Sequence, residues 1–327
     1  MILAVGLTAI GCSGGGDEVA GRGDEREAGN GAAESTKPLI GSDLGHQAFQ
    51  PSTRLVVPDG VGTPFDRVGR VLAGIAEGTL GVRMFVNQRP GEQGYVAWRD
   101  VAAEEPEGHQ LAYVAEGLLA PEGAESGGIG PDDFEMVAQT DRGFAVLVAI
   151  GDPEIETFQG EDFENFGDFV EGAKEDPGLV EVADAGKGTV YRSGALRLER
   201  DLDVDISLKS FANKSPVEAI YNGDVETALV VLSEKRAPDL PDVPTAKELG
   251  HDVTVPVFGG VAAPAGTPPD VVDELGRAFV GASSSRTFSR ALVGTGREPE
   301  QRGPEQFETY VDKQARLLRE TKSAEER

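Results

Sequence analysis

The sequence predicts an α/β protein of two lobes, on three observations. Strand and helix patterns alternate from residue 54 onward, a strand, glycine-rich turn and helix occur in direct succession twice, and a β-then-helix pattern returns after residue 253. Alternation of this kind builds a mostly parallel sheet with helices on both faces. The duplicated turn and the late return imply two lobes joined by more than one crossing. With 327 residues, 39% of them hydrophobic, the chain can bury two cores of ordinary size.

The first unit is RLVVPDGVGTPFDRVGR at residues 54–70. Leu55, Val56 and Val57 form a short apolar run stopped by Pro58, and Gly60 and Gly62 supply a flexible turn. From Asp66 the period becomes helical, with Val68, Val71, Leu72 and Ile75 on one stripe. Such a turn aims the free N–H groups and the positive dipole end of the helix at the strand's carboxyl edge, where carboxylates and phosphates bind. The same residues also suit an ordinary βα turn with nothing bound.

VRMFVNQ at 82–88 is the next strand, and Arg89-Pro90-Gly91 turns the chain into a helix at Tyr95–Ala103. QLAYVA at 110–115 reads as a strand, 116–133 as a long polar loop, and Phe144–Ile150 as a continuous apolar strand. In the second half, Phe163, Phe166 and Val170 mark a helix and LVEVA at 179–183 a strand. The turn Asp184-Ala185-Gly186-Lys187-Gly188-Thr189 then leads into a helix containing Leu196. Strands follow at 206–208 and 225–232, with a helix between them around 216–221, and a long β-prone run covers 253–263. Helices at 269–279, 288–292 and 304–318 close the chain, the first opening on Pro269. These patterns give lobe 1 as residues 51–143 with 258–327, and lobe 2 as residues 144–257.

Asp and Glu number 57 against 30 Lys and Arg, for a formal net charge of -27. That field excludes nucleic acid and an anionic membrane surface as partners. It also repels a free carboxylate, so an anion site must rest on local N–H dipoles and a few placed cations. Cys12 is the only cysteine and follows the apolar run MILAVGLTAIG. Ala9-Ile10-Gly11-Cys12 resembles a lipobox, so residues 1–12 read as a signal peptide with Cys12 as the lipidation site. The run is short and no Lys or Arg precedes it, which departs from an intact signal. Residues 13–50, Gly-rich and acidic, read as a disordered tether that reaches roughly 30 to 40 Å.

The three histidines, His46, His109 and His251, are scattered without carboxylate or cysteine partners at ligand spacing, so no metal site is expected. No G-x-S-x-G elbow is present, and no cofactor loop. Gly186-Lys187-Gly188-Thr189 fails the spacing of a phosphate-binding P-loop. It still offers N–H groups, the Thr189 hydroxyl and the Lys187 charge at a helix start, which suits a carboxylate. Lys187 reads equally as a solvated loop lysine.

LPDVPTAKELG at 240–250 and FGGVAAPAGTPPDVVDEL at 258–275, in that order and spacing, resemble the extracytoplasmic solute receptors of tripartite tricarboxylate transporters, also called Bug receptors. LVVP with its following loop, NQRPGEQG at 87–94, Pro106-Glu107-Gly108 and the turn at 186–189 agree with it. The resemblance runs from about residue 53 to 320. It implies a periplasmic-binding-protein fold of the Venus-flytrap, type II-like kind, with a hinged cleft between its lobes. It also implies a non-enzymatic receptor, with no cofactor, that captures a small organic carboxylate for integral membrane permease subunits. Carried over by position, the ligand contacts would be Gly62, Thr63 and Asp66 in the first lobe, and Gly186, Gly188 and Thr189 in the second. Phe258 and Gly259 would lie at the late crossing. Three departures make the pocket individual: Thr63-Pro64-Phe65 where relatives keep a second glycine, Arg192 where His is common, and Ser210-Phe211-Ala212 in place of an aromatic-Lys-Gly run. Arg192 could serve a second carboxylate. A sensor feeding a signalling protein is the alternative role, and a periplasmic enzyme using cleft carboxylates is a weaker one.

Overall fold

The computed structural model describes residues 2–5, 52–119, 128–150, 163–178, 180–184, 190–210 and 225–325. Cys12, the tether at 13–50 and the turn residues Gly186, Lys187, Gly188 and Thr189 lie outside them. In chain order the elements begin with β1 (Ile2–Val5), β2 (Ser52–Val57), α1 (Pro64–Leu80), β3 (Arg83–Gln88), α2 (Tyr95–Ala102) and β4 (Gln110–Ala115). They continue with β5 (Phe134–Gly143), β6 (Ala145–Ile150), α3 (Phe166–Glu175), β7 (Glu181–Asp184), α4 (Val190–Leu202), β8 (Ser207–Ser210) and β9 (Val225–Val231). Last come β10 (Phe258–Pro264), α5 (Pro269–Ser283), α6 (Arg286–Ala291), β11 (Arg297–Arg302) and α7 (Pro304–Glu325).

Two sheets organise them, one of order β11-β5-β10-β4-β2-β3 and one of order β8-β7-β1-β6-β9. The two-lobed α/β class is present, but the sheets are mixed rather than mostly parallel. β2 runs parallel to β3 and β4, whereas β10 is antiparallel to β4 and β5, and β11 to β5. The reason lies in the crossings. The chain leaves the first sheet at Gly143, enters the second at Ala145, and returns at Phe258. Strands that switch sheets directly, with no helical crossover between them, need not enter parallel.

The first sheet is buried on both faces, as the continuous apolar run of β2 requires. Leu55 and Val57 pack with α1 and α5 through Val68, Leu72, Leu275 and Phe279. Val56, one residue out of phase, belongs to a second cluster with Trp98 of α2 and Phe307 and Val311 of α7. That second cluster continues into the other lobe through Leu147, Phe169, Val182, Leu198 and Leu229. Helix α7 therefore packs on both lobes, and no helix among the described residues is long and apolar enough to cross a membrane.

Three strands escape the sequence patterns. β5 carries Gln139, Thr140 and Asp141 fully buried, so its polar residues disguise a central strand as a turn. β11, REPEQR, is an edge strand whose charges pair across the ladder, Arg142 of β5 with Glu298. β1 is the third. Ile2, Leu3, Ala4 and Val5 pair antiparallel with Val148, Leu147, Val146 and Ala145, and Ile2 meets Ala183 of β7 in parallel. These four residues belong to the run read as a leader. A short apolar run suits a buried strand as well as a signal sequence, so the leader reading and the strand compete for the same residues. A chain beginning at Ser13 should show faster amide exchange at Val146 and Val148 than the full chain and a lower thermal midpoint. Equal protection in both would show that β1 holds nothing together.

Candidate functional site

One edge of the first sheet gathers the functional groups. The carboxyl ends of β2, β4 and β5 and the starts of β10 and β11 meet there, as the pairings Gly259 with Ala115, Phe258 with Arg142 and Arg297 with Gly143 require. The second lobe faces this edge through the head of α4.

The turn between β2 and α1 is built by Thr63 and Asp66. Thr63 caps α1, its Oγ1 accepting from the Asp66 N–H at 3.3 Å while donating to the Gly60 carbonyl at 2.8 Å. Pro64 takes the first helical position, where its missing N–H costs nothing. Asp66, buried, accepts from the Gly62 N–H at 2.8 Å, from Arg70 Nε at 3.1 Å and from Gln88 Nε2. Gly62 reaches this bond with φ at 86°, a left-handed conformation that glycine adopts without strain. Burial alone would raise the Asp66 pKa. The Gly62 N–H, with Arg70 and Gln88, outweighs it and holds the carboxyl below its ordinary 3.8.

The carried-over residues of the first lobe thus bond to one another. Thr63, Asp66 and the Gly62 N–H spend their hydrogen bonds inside the turn, because a carboxylate there is needed to fold the loop. They shape the first jaw from within. The N–H of Phe65 lies in the first turn of α1, where the helix supplies it no acceptor. Phe258 and Gly259 are close-packed. Phe258 is fully buried against Phe307 and Tyr310, with ring centroids 5.5 and 5.8 Å away. A Cβ at Gly259 would lie 1.9 Å from Tyr113 Oη and 2.5 Å from an Asp141 carboxylate oxygen, so glycine is obligatory.

The groups around Gly259 form the polar centre of the edge. Asp141, with no exposed surface, accepts from Tyr113 Oη at 2.7 Å, from Thr140 Oγ1 at 2.8 Å and from Arg297 Nε. Arg297 lies with its Cζ 5.4 Å from the centroid of the Phe65 ring, and Phe65 packs on Tyr113 at 5.6 Å. Glu116 heads a short 3-10 turn, Glu116–Leu119, after β4. Its carboxylate accepts from Tyr191 Oη at 2.6 Å and from the Phe258 N–H at 3.3 Å. Tyr191 is the second residue of α4, so this bond joins the lobes directly beyond the second turn.

Burial, then the neighbouring carboxylates, push the phenols of Tyr113 and Tyr191 well above the ordinary 10.0, and both stay protonated donors. Burial works against the charge on Arg297. The Asp141 carboxylate, followed by Tyr113 and Glu116, overrides it and holds the guanidinium charged. Beside Arg297 a cavity of about 320 Å³ opens between the lobes, walled also by Phe144, Val146, Ala237, Leu292 and Glu298.

Of the second jaw the flanks are described: β7 ends at Asp184 and α4 begins at Val190, the strand and helix that the turn between them was expected to join. Arg192 lies partly buried in the first turn of α4. Among the described residues no group of three His, Cys, Asp or Glu could hold a metal ion. Sequence reasoning missed Tyr113, Glu116, Asp141, Tyr191 and Arg297. Tyr113 hides in an apolar strand, and Asp141 and Arg297 sit in stretches that look like turns.

Gly259→Ala should cost about 1–3 kcal/mol in urea unfolding, as overpacking does; an unchanged midpoint would mean that Tyr113 and Asp141 move freely aside. Asp66→Asn should cost about 1.5–3 kcal/mol, the worth of hydrogen bonds to a charged group. Because the folded carboxyl titrates below 3.8, its contribution is complete above that pH and is lost as the pH falls through the lower folded value. The Asn variant should therefore lose part of the acid limb of stability against pH.

Residues 204–322 match the family model described as the tripartite tricarboxylate transporter family receptor, TctC. The chain is 25% identical over 281 residues to a UPF0065 protein of the gbd 5' region of Cupriavidus necator, covering 80% of this chain and 84% of that one. It is 27% identical over 248 residues to another from Pseudomonas sp. strain P51, covering 67% and 70%. Among solved structures, a TctC solute-binding protein from Polaromonas aligns with a TM-score of 0.70 at 23% identity, over 84% of this chain and 98% of that one. The periplasmic binding protein BugD aligns at 0.62 and 26%, over 84% and 97%. MatC of Rhodopseudomonas palustris with bound malate aligns at 0.63 and 27%, over 84% and 99%. The resemblance carried by the late motifs thus extends to sequence and to fold: the chain is similar to solute-binding proteins of the TctC type, the receptors of tripartite tricarboxylate transporters.

Proposed function

We propose that this chain is an extracytoplasmic receptor that captures a small organic carboxylate between its lobes and delivers it to the integral membrane permease subunits of a tripartite tricarboxylate-type transporter. The observation that carries this is the cleft edge itself. A helix-start turn on the first lobe, a buried cation at Arg297 and the head of α4 on the second lobe converge around the Glu116–Tyr191 bond. The similar structures of MatC with malate and of a second R. palustris protein with adipate support the ligand class.

In this reading Phe65 and its turn form one jaw. Gly186, Lys187, Gly188 and Thr189 form the other, with Arg192 one helical turn behind. The strand switches at Phe144 and Val257 are the hinge, and they absorb the rotation. The Tyr191–Glu116 bond belongs to the closed state, and a ligand favours closure only by its extra affinity for that state. Attachment to the membrane would come from a lipid on Cys12. That applies to a form from which residues 1–11, β1 included, have been cut.

A thermal-shift screen of mono-, di- and tricarboxylates on the full chain at high salt tests the proposal. A ligand at a hundred times its dissociation constant should stabilise the fold by about 2.7 kcal/mol. A folded, ligand-free sample that responds to no carboxylate would overturn it.

A further inference from the structure

We propose that Arg297 receives the ligand's carboxylate, end-on, through its Nη2; this deepens the carboxylate reading above and rests on it. The side chain of Arg297 is 8% exposed, yet its Nη2 is buried with no hydrogen-bond partner. Buried donors in folded proteins are nearly always satisfied, and a charged one left bare is the least tolerable. The guanidinium is held in place from two sides. Nε is committed to Asp141, and the Phe65 ring covers the plane with Cζ 5.4 Å from its centroid. A ligand therefore meets a cation whose orientation is already fixed, which spares the ordering cost of a surface arginine.

The same commitments define the geometry. With Nε taken, the side-on fork through Nε and Nη2 is closed, and a ligand oxygen must approach Nη2. The Phe65 N–H, in the first turn of α1 where the helix itself supplies no acceptor, is on the residue that stacks on Arg297 and is a second donor for the other oxygen. Two donors suit a carboxylate and fall short of what a tetrahedral oxyanion needs. The cavity of about 320 Å³ that Arg297 lines, walled on its apolar side by Phe144, Val146 and Leu292, gives room for a small acid.

The charges around Arg297 explain why this cation is needed. Asp141 and Glu116 are the carboxylates of this centre, both bonded within the protein, and Tyr113 and Tyr191 are neutral phenols. An incoming carboxylate is thus a third anion in a chain of net charge -27. Arg142, another cation of this edge, is already paired with Glu298, which leaves Nη2 of Arg297 to offset the repulsion.

Isothermal titration of the full chain with propionate, malate and adipate, and with sulfate as the tetrahedral control, tests this in three proteins. Arg297→Lys keeps a cation for Asp141 but has no Nη2; it should bind the acids that wild type binds about 10- to 100-fold more weakly. The double variant Asp141→Asn with Arg297→Gln removes both charges, leaves no orphan carboxylate, and should show no measurable binding while still melting cooperatively. Sulfate should give no heat with any of them. Affinities within threefold of wild type in either folded variant would overturn the role of Arg297 and leave the carboxylate reading standing. Absence of binding by every acid to wild type would remove both.

Discussion

The carboxylate of Asp141 holds the cleft edge together. It sits on β5, takes its hydrogen bonds from Tyr113 of β4 and Arg297 of β11, and lies against the α-carbon of Gly259 on β10. In sheet order these are four consecutive strands, β11, β5, β10 and β4. Ionising a carboxyl with no exposed surface is costly, and it is tolerable here because a charged guanidinium and two hydroxyls converge on it. The demand propagates outward. Residue 259 must lack a side chain, Tyr113 must keep its phenol proton, and Arg297 must stay charged.

From that anchor the remaining chemistry follows by contact. Arg297 cannot turn away from Asp141, so its far end faces the Phe65 turn. That turn is stiffened by Pro64 and by the internal carboxylate of Asp66. Both buried carboxylates thus serve as scaffolding that orients the donors around them. Glu116 repeats the device between the lobes, where one carboxylate ties the Tyr191 hydroxyl to the returning strand at Phe258.

Elements with a clean apolar period were legible in the sequence: β2 with α1, β4, β6, α3 and the closing helices all stand near their expected bounds. The β-prone run from 253 became a strand only at Phe258, because the residues before it make the return crossing. β5 and β11 were illegible because their polar residues are satisfied by one another, through Asp141 with Arg297 and Arg142 with Glu298, and such pairing leaves no periodic trace. The candidate site divided in the same way. Its first turn was visible through Gly60 and Gly62, whereas the groups beside it lie far apart in sequence, Tyr113 and Arg297 above all. Only the folded strand order brings them together.

β1 fills the middle of the second sheet, with β6 on one side and β7 on the other. For Ile2–Val5, removal by export processing and service as a strand exclude each other. A processed molecule would carry an open seam, with the N–H and C=O groups of two strands facing across it. Such a seam accepts any extended apolar segment of matching length, by the same strand addition that donor peptides use. A cut before Cys12, as proposed above, would therefore remove a strand along with the leader, and the two forms of the chain would differ in the surface that their second sheet presents.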